Sequence, residues 1–511
     1  MNSTHSPATR RDLERWIGAV IIPPYRPAGG FEPDSPERRP SAEYLRRFPP
    51  ACLIGFGRRL SDGATIEGMG AGLNALADEC VELGGERPSL CADLERGAGY
   101  HLPGSTLLPP ARAVFEAEAQ RPGSLFDAGF LTGLEARAAG IDLVLAPVLD
   151  VNSNPANPII SVRAFGTEPG PVAQGAAAFL EGLDAAGAGA SLKHFPGHGD
   201  TAVDSHVDLP LVDRSLAELQ ALELAPWRGF FDLPVARRMR DRLTVMVGHL
   251  DVPALTGEAG LPATLSARSN AWLATEGFEG VVLSDALEMG SVAELPDVGV
   301  RALSAGCDGL LIPVDELALA EELLEAAECG RLEAEVLRRA AERMQRMRAA
   351  LAAAPQPDAG AAERLGNGEQ LATELVLAAL SGQPGVAAGA GLAGSAIELA
   401  GQADLVEGLV DVGGLELTED PSAPLVLCLG GVVLAGRGSA GAEAEVELAA
   451  QKQASAAQEG GRTVLLIWFG ARETLPEWGT ELDHLWAWAP GSATARGVVA
   501  LLTGGSSSYL S

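Results

Sequence analysis

Eight short apolar runs, most of them broken by a polar residue near the C-terminal end, constrain this chain more than any other feature of its sequence. They are WIGAVIIPPY at 16–25, ACLIGFG at 51–57, PSLCADLE at 88–95 and IDLVLAPVLDV at 141–151. AGASLKHF at 188–195, TVMVGHLDVP at 244–253, EGVVLSDAL at 279–287 and CDGLLIPVD at 307–315 complete the set. They are continuous rather than alternating, as expected of parallel strands buried on both faces. Ala-, Leu- and Glu-rich segments of helical length lie between them, at 62–84, 171–187, 215–231 and 316–328. The alternation predicts an α/β fold with an N-terminal (β/α)8 TIM barrel. An open doubly wound sheet fits less well, because no Gly-rich phosphate loop follows the first run.

The polar breaks are Asp93 and Glu95, Asp150, Lys193 and His194, His249 and Asp251, Asp285 and Asp315. In a barrel, that rim is where active sites are built. RLEAEVLRRAAERMQRMRAAL at 331–351 predicts a long helix with a solvated, sign-alternating face that closes a first domain, residues 1–351. AAAPQPDAGAA at 352–362 predicts a linker. Residues 363–511, with strands expected at 424–433, 462–470 and 483–489, predict a smaller C-terminal α/β domain with a parallel sheet.

A length of 511 residues suffices for two or three cores, and 47% apolar with 21% charged residues fits a soluble globular chain. The net charge of −31 argues against a nucleic-acid partner, since phosphate binding needs a basic surface. No apolar run reaches the roughly 18 residues of a membrane span, so no membrane partner is expected. The six cysteines are scattered, mostly in apolar runs, and the first residues hold no apolar stretch of signal-peptide length. Both features predict a cytoplasmic location.

The chemistry concentrates in SLKHFPGHGDTAVDSHVDLP at 191–210, which carries three of the seven histidines. Pro196, Gly197 and Gly199 make it a loop after a strand. So many ionisable groups on one loop stay solvated, bind a metal or do acid/base work. Asp204 stands two residues from His206, and a nearby carboxylate fixes a histidine's tautomer and raises its basicity. Asp285 ends a very apolar strand; its plain alternative is an N-cap for the next helix. For Lys193 and His194 the plain alternative is a structural ion pair and hydrogen bond. His249 is left outside the expected site.

KHFPGHGDTAVDSHVDLPLV resembles the signature of family 3 glycoside hydrolases, in its β-N-acetylglucosaminidase branch. VRAFG at 162–166, PATLS at 262–266 and SDALEM at 284–289 continue the likeness in order, and DLERGAG at 93–99 resembles the family's DxEGG segment less closely. The resemblance implies a retaining exo-acting β-N-acetylglucosaminidase. Asp285 would be the nucleophile, and His206 the general acid/base with Asp204 as its dyad partner. Asp93, Arg163, Lys193 and His194 would hold the sugar. No metal or other cofactor is implied, and the partner is a small carbohydrate: a GlcNAc-terminated glycoside from peptidoglycan (a muropeptide) or chitin. The C-terminal part resembles the family's α/β sandwich domain loosely. Arg96 stands where the family usually has Gly, His101 near a frequent Arg, and Ala286 at a frequent Asp.

Rival readings use many of the same residues. A phosphorylase would employ Asp285 and His206 with phosphate as acceptor. A β-glucosidase of this family generally takes its acid/base from the second domain. A metal-dependent hydrolase built on His194, His198 and His206 lacks ligands on the first strand. A non-catalytic sugar-binding protein has no reason to keep both Asp285 and the Asp204–His206 pair.

Overall fold

The computed structural model describes residues 8–28, 36–57, 69–102, 104–201, 208–355, 357, 367–381, 398–401, 418, 423–430, 440–459, 464–469, 483–487, 494, 496 and 498. Strands are numbered in chain order. β1 (Ile21–Ile22) and β2 (Pro24–Tyr25) are two halves of one extended run split at Pro23. β3 (Cys52–Gly55), β4 (Ser89–Ala92), β5 (Leu143–Val144), β6 (Gly189–Phe195), β7 (Leu243–Val247) and β8 (Val281–Ser284) follow, and β9 (Leu310–Leu311) is last in this region. β2 to β8 form one parallel sheet in chain order, and β9 pairs in parallel with β1. The two edges are connected. The Ser284 amide donates to the Gly309 carbonyl at 2.9 Å, and the Ile312 amide to the Ile22 carbonyl at 3.1 Å.

The strands form where the sequence is apolar on both faces, and every residue of β3, β4, β6, β7 and β8 is buried. Helices cover the outer face. Ser124–Ala138 and Pro169–Ala185 cross closely enough that a side chain at Gly129 would strike the Phe179 carbonyl. The helix Ala334–Ala352 buries Leu337, Ala340, Ala341, Met344, Met347 and Leu351 along one stripe, and Arg343 beside that stripe pairs with the buried Asp308.

Two expectations need correction. Residues 16–20 are not strand: they finish the helix Arg10–Val20, which starts at a capping box formed by Thr9 and Asp12. Its buried Leu13, Ile17 and Val20 lie at helical spacing, so the apolar run at 16–25 is half helix and half strand. The segment 215–231 holds only the short helix Leu216–Ala221, followed by turns and the 3-10 turn Phe230–Asp232.

Beyond residue 367 the helix Gly368–Ser381 packs against the helix Ala111–Ala117. β10 (Glu398–Gly401), β11 (Leu425–Gly430), β12 (Val464–Phe469) and β13 (Asp483–Trp486) make a second parallel sheet, in that order. β10 falls in a stretch that carried no strand expectation. Among the described residues, no helix is long and apolar enough to cross a membrane.

Candidate active site

All strands of the large sheet run the same way, so the residues that follow β4, β5, β6, β7 and β8 share one edge. The densest cluster there is an ion network drawn from three of them. Lys193, near the end of β6, is buried with 3% of its side chain exposed. Its Nζ lies 2.5 Å from Asp93 Oδ1 and 2.6 Å from Glu95 Oε1, both just past β4. Arg163, on the turn Ser161–Arg163, donates twice to Glu95, Nε to Oε2 and Nη2 to Oε1, each at 2.8 Å. This two-pronged geometry fixes the guanidinium plane.

His194 completes the cluster. Its Nδ1–H donates to Asp150 Oδ2 at 2.7 Å, which leaves Nε2 facing Arg163 Nη2 at 3.4 Å. Asp150 is wholly buried after β5 and also accepts from the backbone amides of His194 and His198. The Lys193–His194 and Phe195–Pro196 peptides are cis.

The charges are held by one another. Burial pushes the Glu95 carboxyl up, but the Arg163 guanidinium and Lys193 ammonium outweigh it and hold it well below the usual carboxylate range. Burial also disfavours the charged Lys193, yet Asp93 and Glu95 raise it above the ordinary lysine value. Asp150 is lowered in spite of its burial by His194 and His198. Such a set of mutually held charges offers fixed donors and acceptors at the sheet edge.

Asp285 follows β8. Its backbone N–H donates to the Val247 carbonyl at 2.9 Å, and its Oδ1 accepts from the Ala286 amide at 2.8 Å. It is no helix N-cap, because turns follow it and the next helix is Val298–Ser304. The next turn is strained: Ile312, β-branched, has φ of 48°, pinned by its amide on Ile22 and by its carbonyl accepting from the Glu288 amide.

Asp93, Arg163, Lys193 and His194 therefore meet, and Asp285 lies on the same sheet edge two strands away from His194. Asp204 and His206 lie outside the described residues. His198 braces the loop: it is buried, its Nδ1 pairs with the Thr201 hydroxyl at 2.7 Å, and burial pushes its pKa down to about 4. Asp315, another rim carboxylate, is an ordinary N-cap of the helix Glu316–Glu328. Among the described residues no group of three His, Cys, Asp or Glu side chains is arranged to hold a metal ion.

Two members of the cluster, Glu95 and Asp150, were read from sequence as rim carboxylates but given no part in the expected site. The signal was present, since both are carboxylates at strand ends. What sequence could not supply was their partners, which stand tens of residues away. The substituted positions are accommodated locally: Arg96 Nε donates to the Leu108 carbonyl at 3.3 Å, and His101 Nδ1 pairs with the Gly57 carbonyl at 2.5 Å.

With this geometry established, comparison places the chain. Residues 51–347 match the glycosyl hydrolase family 3 N terminal domain, and the chain belongs to that family. Beta-hexosaminidase from Stenotrophomonas maltophilia (strain R551-3) is 33% identical over 300 residues, 56% of this chain and 82% of that protein. Beta-hexosaminidase A from Pseudoalteromonas piscicida is 32% identical over 274 residues, 49% of this chain and 45% of that one. A family 3 β-N-acetylglucosaminidase from Paenibacillus sp. str. FPU-7 superposes with a TM-score of 0.75 at 22% identity, covering 96% of each chain. The beta-glucoside phosphorylase BglX superposes with a TM-score of 0.73 at 18% identity, covering 97% of this chain and 92% of that one. The chain is thus a family 3 glycoside hydrolase of the hexosaminidase branch.

Proposed function

We propose that this protein is a retaining, exo-acting β-N-acetylglucosaminidase that removes terminal GlcNAc from peptidoglycan or chitin fragments. The observation that carries the reading is the network of Asp93, Glu95, Arg163, Lys193 and His194 at one sheet edge, a preformed cradle for sugar hydroxyls. The relatives named beta-hexosaminidase support the sugar class. In this reading residues 1–351 form a (β/α)8 barrel, and 363–511 a second α/β domain joined by the linker 352–362.

Asp285 attacks carbon 1 while His206, paired with Asp204, protonates the leaving oxygen. The bond from carbon 1 to the aglycone breaks and an ester to Asp285 forms. His206, now neutral, takes a proton from water, which attacks carbon 1 and frees the sugar with retained configuration. An imidazole with an ordinary pKa of ~6.5 suits both transfers near neutral pH. Because it ends neutral, it does not repel an anionic aglycone, which fits muropeptides. The six unpaired cysteines support a reducing, cytoplasmic setting.

The test is chromophore release from an aryl N-acetyl-β-glucosaminide, with phosphate titrated in. Release without phosphate that is lost in Asp285→Ala supports the reading. Release that requires phosphate and yields a sugar phosphate replaces it with phosphorolysis. No release, with turnover of the aryl β-glucoside instead, overturns the sugar assignment.

A further inference from the structure

His249 was left outside the site on sequence grounds, and its surroundings give it a role. It follows β7, the strand between β6 with Lys193 and His194 and β8 with Asp285. It is fully buried. Its Nε2 lies 3.1 Å from the Ala286 carbonyl oxygen, an atom that only accepts, so Nε2 carries the proton. Its Nδ1 lies 2.8 Å from the Thr264 hydroxyl, which is itself 3.0 Å from the Gly248 carbonyl. The imidazole thus bolts the end of β7 to the residue after Asp285.

We propose that His249 is a positioning residue for the Asp285 carboxylate, acting through Ala286. Ala286 is held at both ends of its backbone: its carbonyl accepts from His249, and its amide donates to Asp285 Oδ1 at 2.8 Å. One carboxylate oxygen is thereby fixed, and the direction of the other follows from it. A nucleophile that must sit in line with carbon 1 loses rate steeply when it is displaced. The Ala286 carbonyl also accepts from the Met289 amide at 3.1 Å, so the turn keeps a bond when the imidazole is removed. Thr264 belongs to the 3-10 turn Ala263–Leu265, where its own carbonyl accepts from Asn270 Nδ2 at 3.4 Å. The bolt is therefore anchored in packed structure rather than in a loop tip.

The inference rests on the reading of Asp285 as nucleophile, and the experiment separates the two. Wild type, His249→Ala and His249→Gln are each treated with a fluorinated N-acetylglucosaminyl inactivator that traps the glycosyl-enzyme, and the labelled residue is located by mass spectrometry. Turnover of an aryl N-acetyl-β-glucosaminide is measured per trapped site. A wild-type label on any residue other than Asp285 overturns the nucleophile reading, and the inference falls with it. With the label on Asp285, His249→Ala is expected to lose about 10–100-fold in trapping rate and kcat. Its inhibition constant for free N-acetylglucosamine should stay within about twofold, since the sugar cradle is untouched. His249→Gln, whose amide nitrogen can reach the Ala286 carbonyl, is expected to recover most of the loss. Trapping and kcat per site unchanged in His249→Ala, or lost equally in both variants, would overturn the positioning role.

Discussion

Lys193 shows what a single buried charge does here. Its ammonium is almost sealed from water and neutralised by Asp93 and Glu95. Removing it takes the ammonium partner from both carboxylates, and breaking a buried pair on one side costs about 3–5 kcal/mol. Lys193→Met is expected to lower the thermal midpoint and abolish turnover, whereas a solvated surface lysine would do neither. Calorimetry and the aryl-glycoside assay check both. Glu223 makes the complementary case. It is 1% exposed, with Arg214 Nε 3.2 Å from its Oε1, yet burial still prevails and pushes its pKa up to about 7. A carboxyl raised above its ordinary value of 4.5 binds its proton more tightly when folded. Its contribution is therefore full below pH ~4.5 and lost as pH rises through about 7. Glu223→Gln should match the wild type more closely at pH 5 and gain on it by on the order of 1–3 kcal/mol at pH 8. Thermal midpoints across that range test it, and a gap that does not change with pH would refute it.

The strands were legible in the sequence because burial on both faces leaves a largely apolar run, as in β3, β7 and β8. The helix Arg10–Val20 was not, because its apolar residues run on into β1 and its start depends on a local hydrogen-bonded box. Lys193, His194 and Asp93 were legible as strand-end residues through the apolar runs they close, and the structure brings them into one cluster. Glu95 and Asp150 gain their meaning only from Arg163 and His194, which the fold brings to them. The segment that bears Asp204 and His206 is flanked by another such long-range device. Arg214 donates to both oxygens of Asp200, Nε to Oδ2 and Nη2 to Oδ1, each at 2.8 Å, tying the residue before the segment to one after it. Cutting that tie is expected to impair proton delivery more than sugar binding. Arg214→Ala should lower kcat/KM about tenfold for poor leaving groups and little for activated ones. A series of aryl glycosides graded by leaving-group acidity would show it; an equal loss along the series would assign Arg214 to structure alone.

At the scale of the whole molecule, the helix Gly368–Ser381 reaches the loop that follows Asp93 and Glu95. After Asp93 and Glu95 the chain folds back on itself, the Leu108 amide donating to the Arg96 carbonyl at 2.8 Å and the Gly99 amide to the Thr106 carbonyl at 2.9 Å. Thr106 is then moored to the helix Ser124–Ala138, its amide and hydroxyl donating to Glu135 at 2.9 and 2.7 Å. The helix Gly368–Ser381 begins against this mooring: a side chain at Gly368 would come within 1.9 Å of the Thr106 hydroxyl oxygen. Ion pairs fix that helix in place, Glu374 with Arg121 at 3.5 Å and Glu369 with Arg496. A bulky residue at 368 must therefore push Thr106 off Glu135 or lift the helix. Either outcome costs about 1–3 kcal/mol, but only the first moves the loop that holds Asp93 and Glu95. Gly368→Val is expected to raise the inhibition constant for N-acetylglucosamine several-fold, with a smaller change in kcat at saturation. A shortened chain ending near residue 355 would show the same weakening if the helix braces the loop. If Gly368→Val lowers the thermal midpoint and leaves sugar binding unchanged, the helix Gly368–Ser381 only rests against the loop.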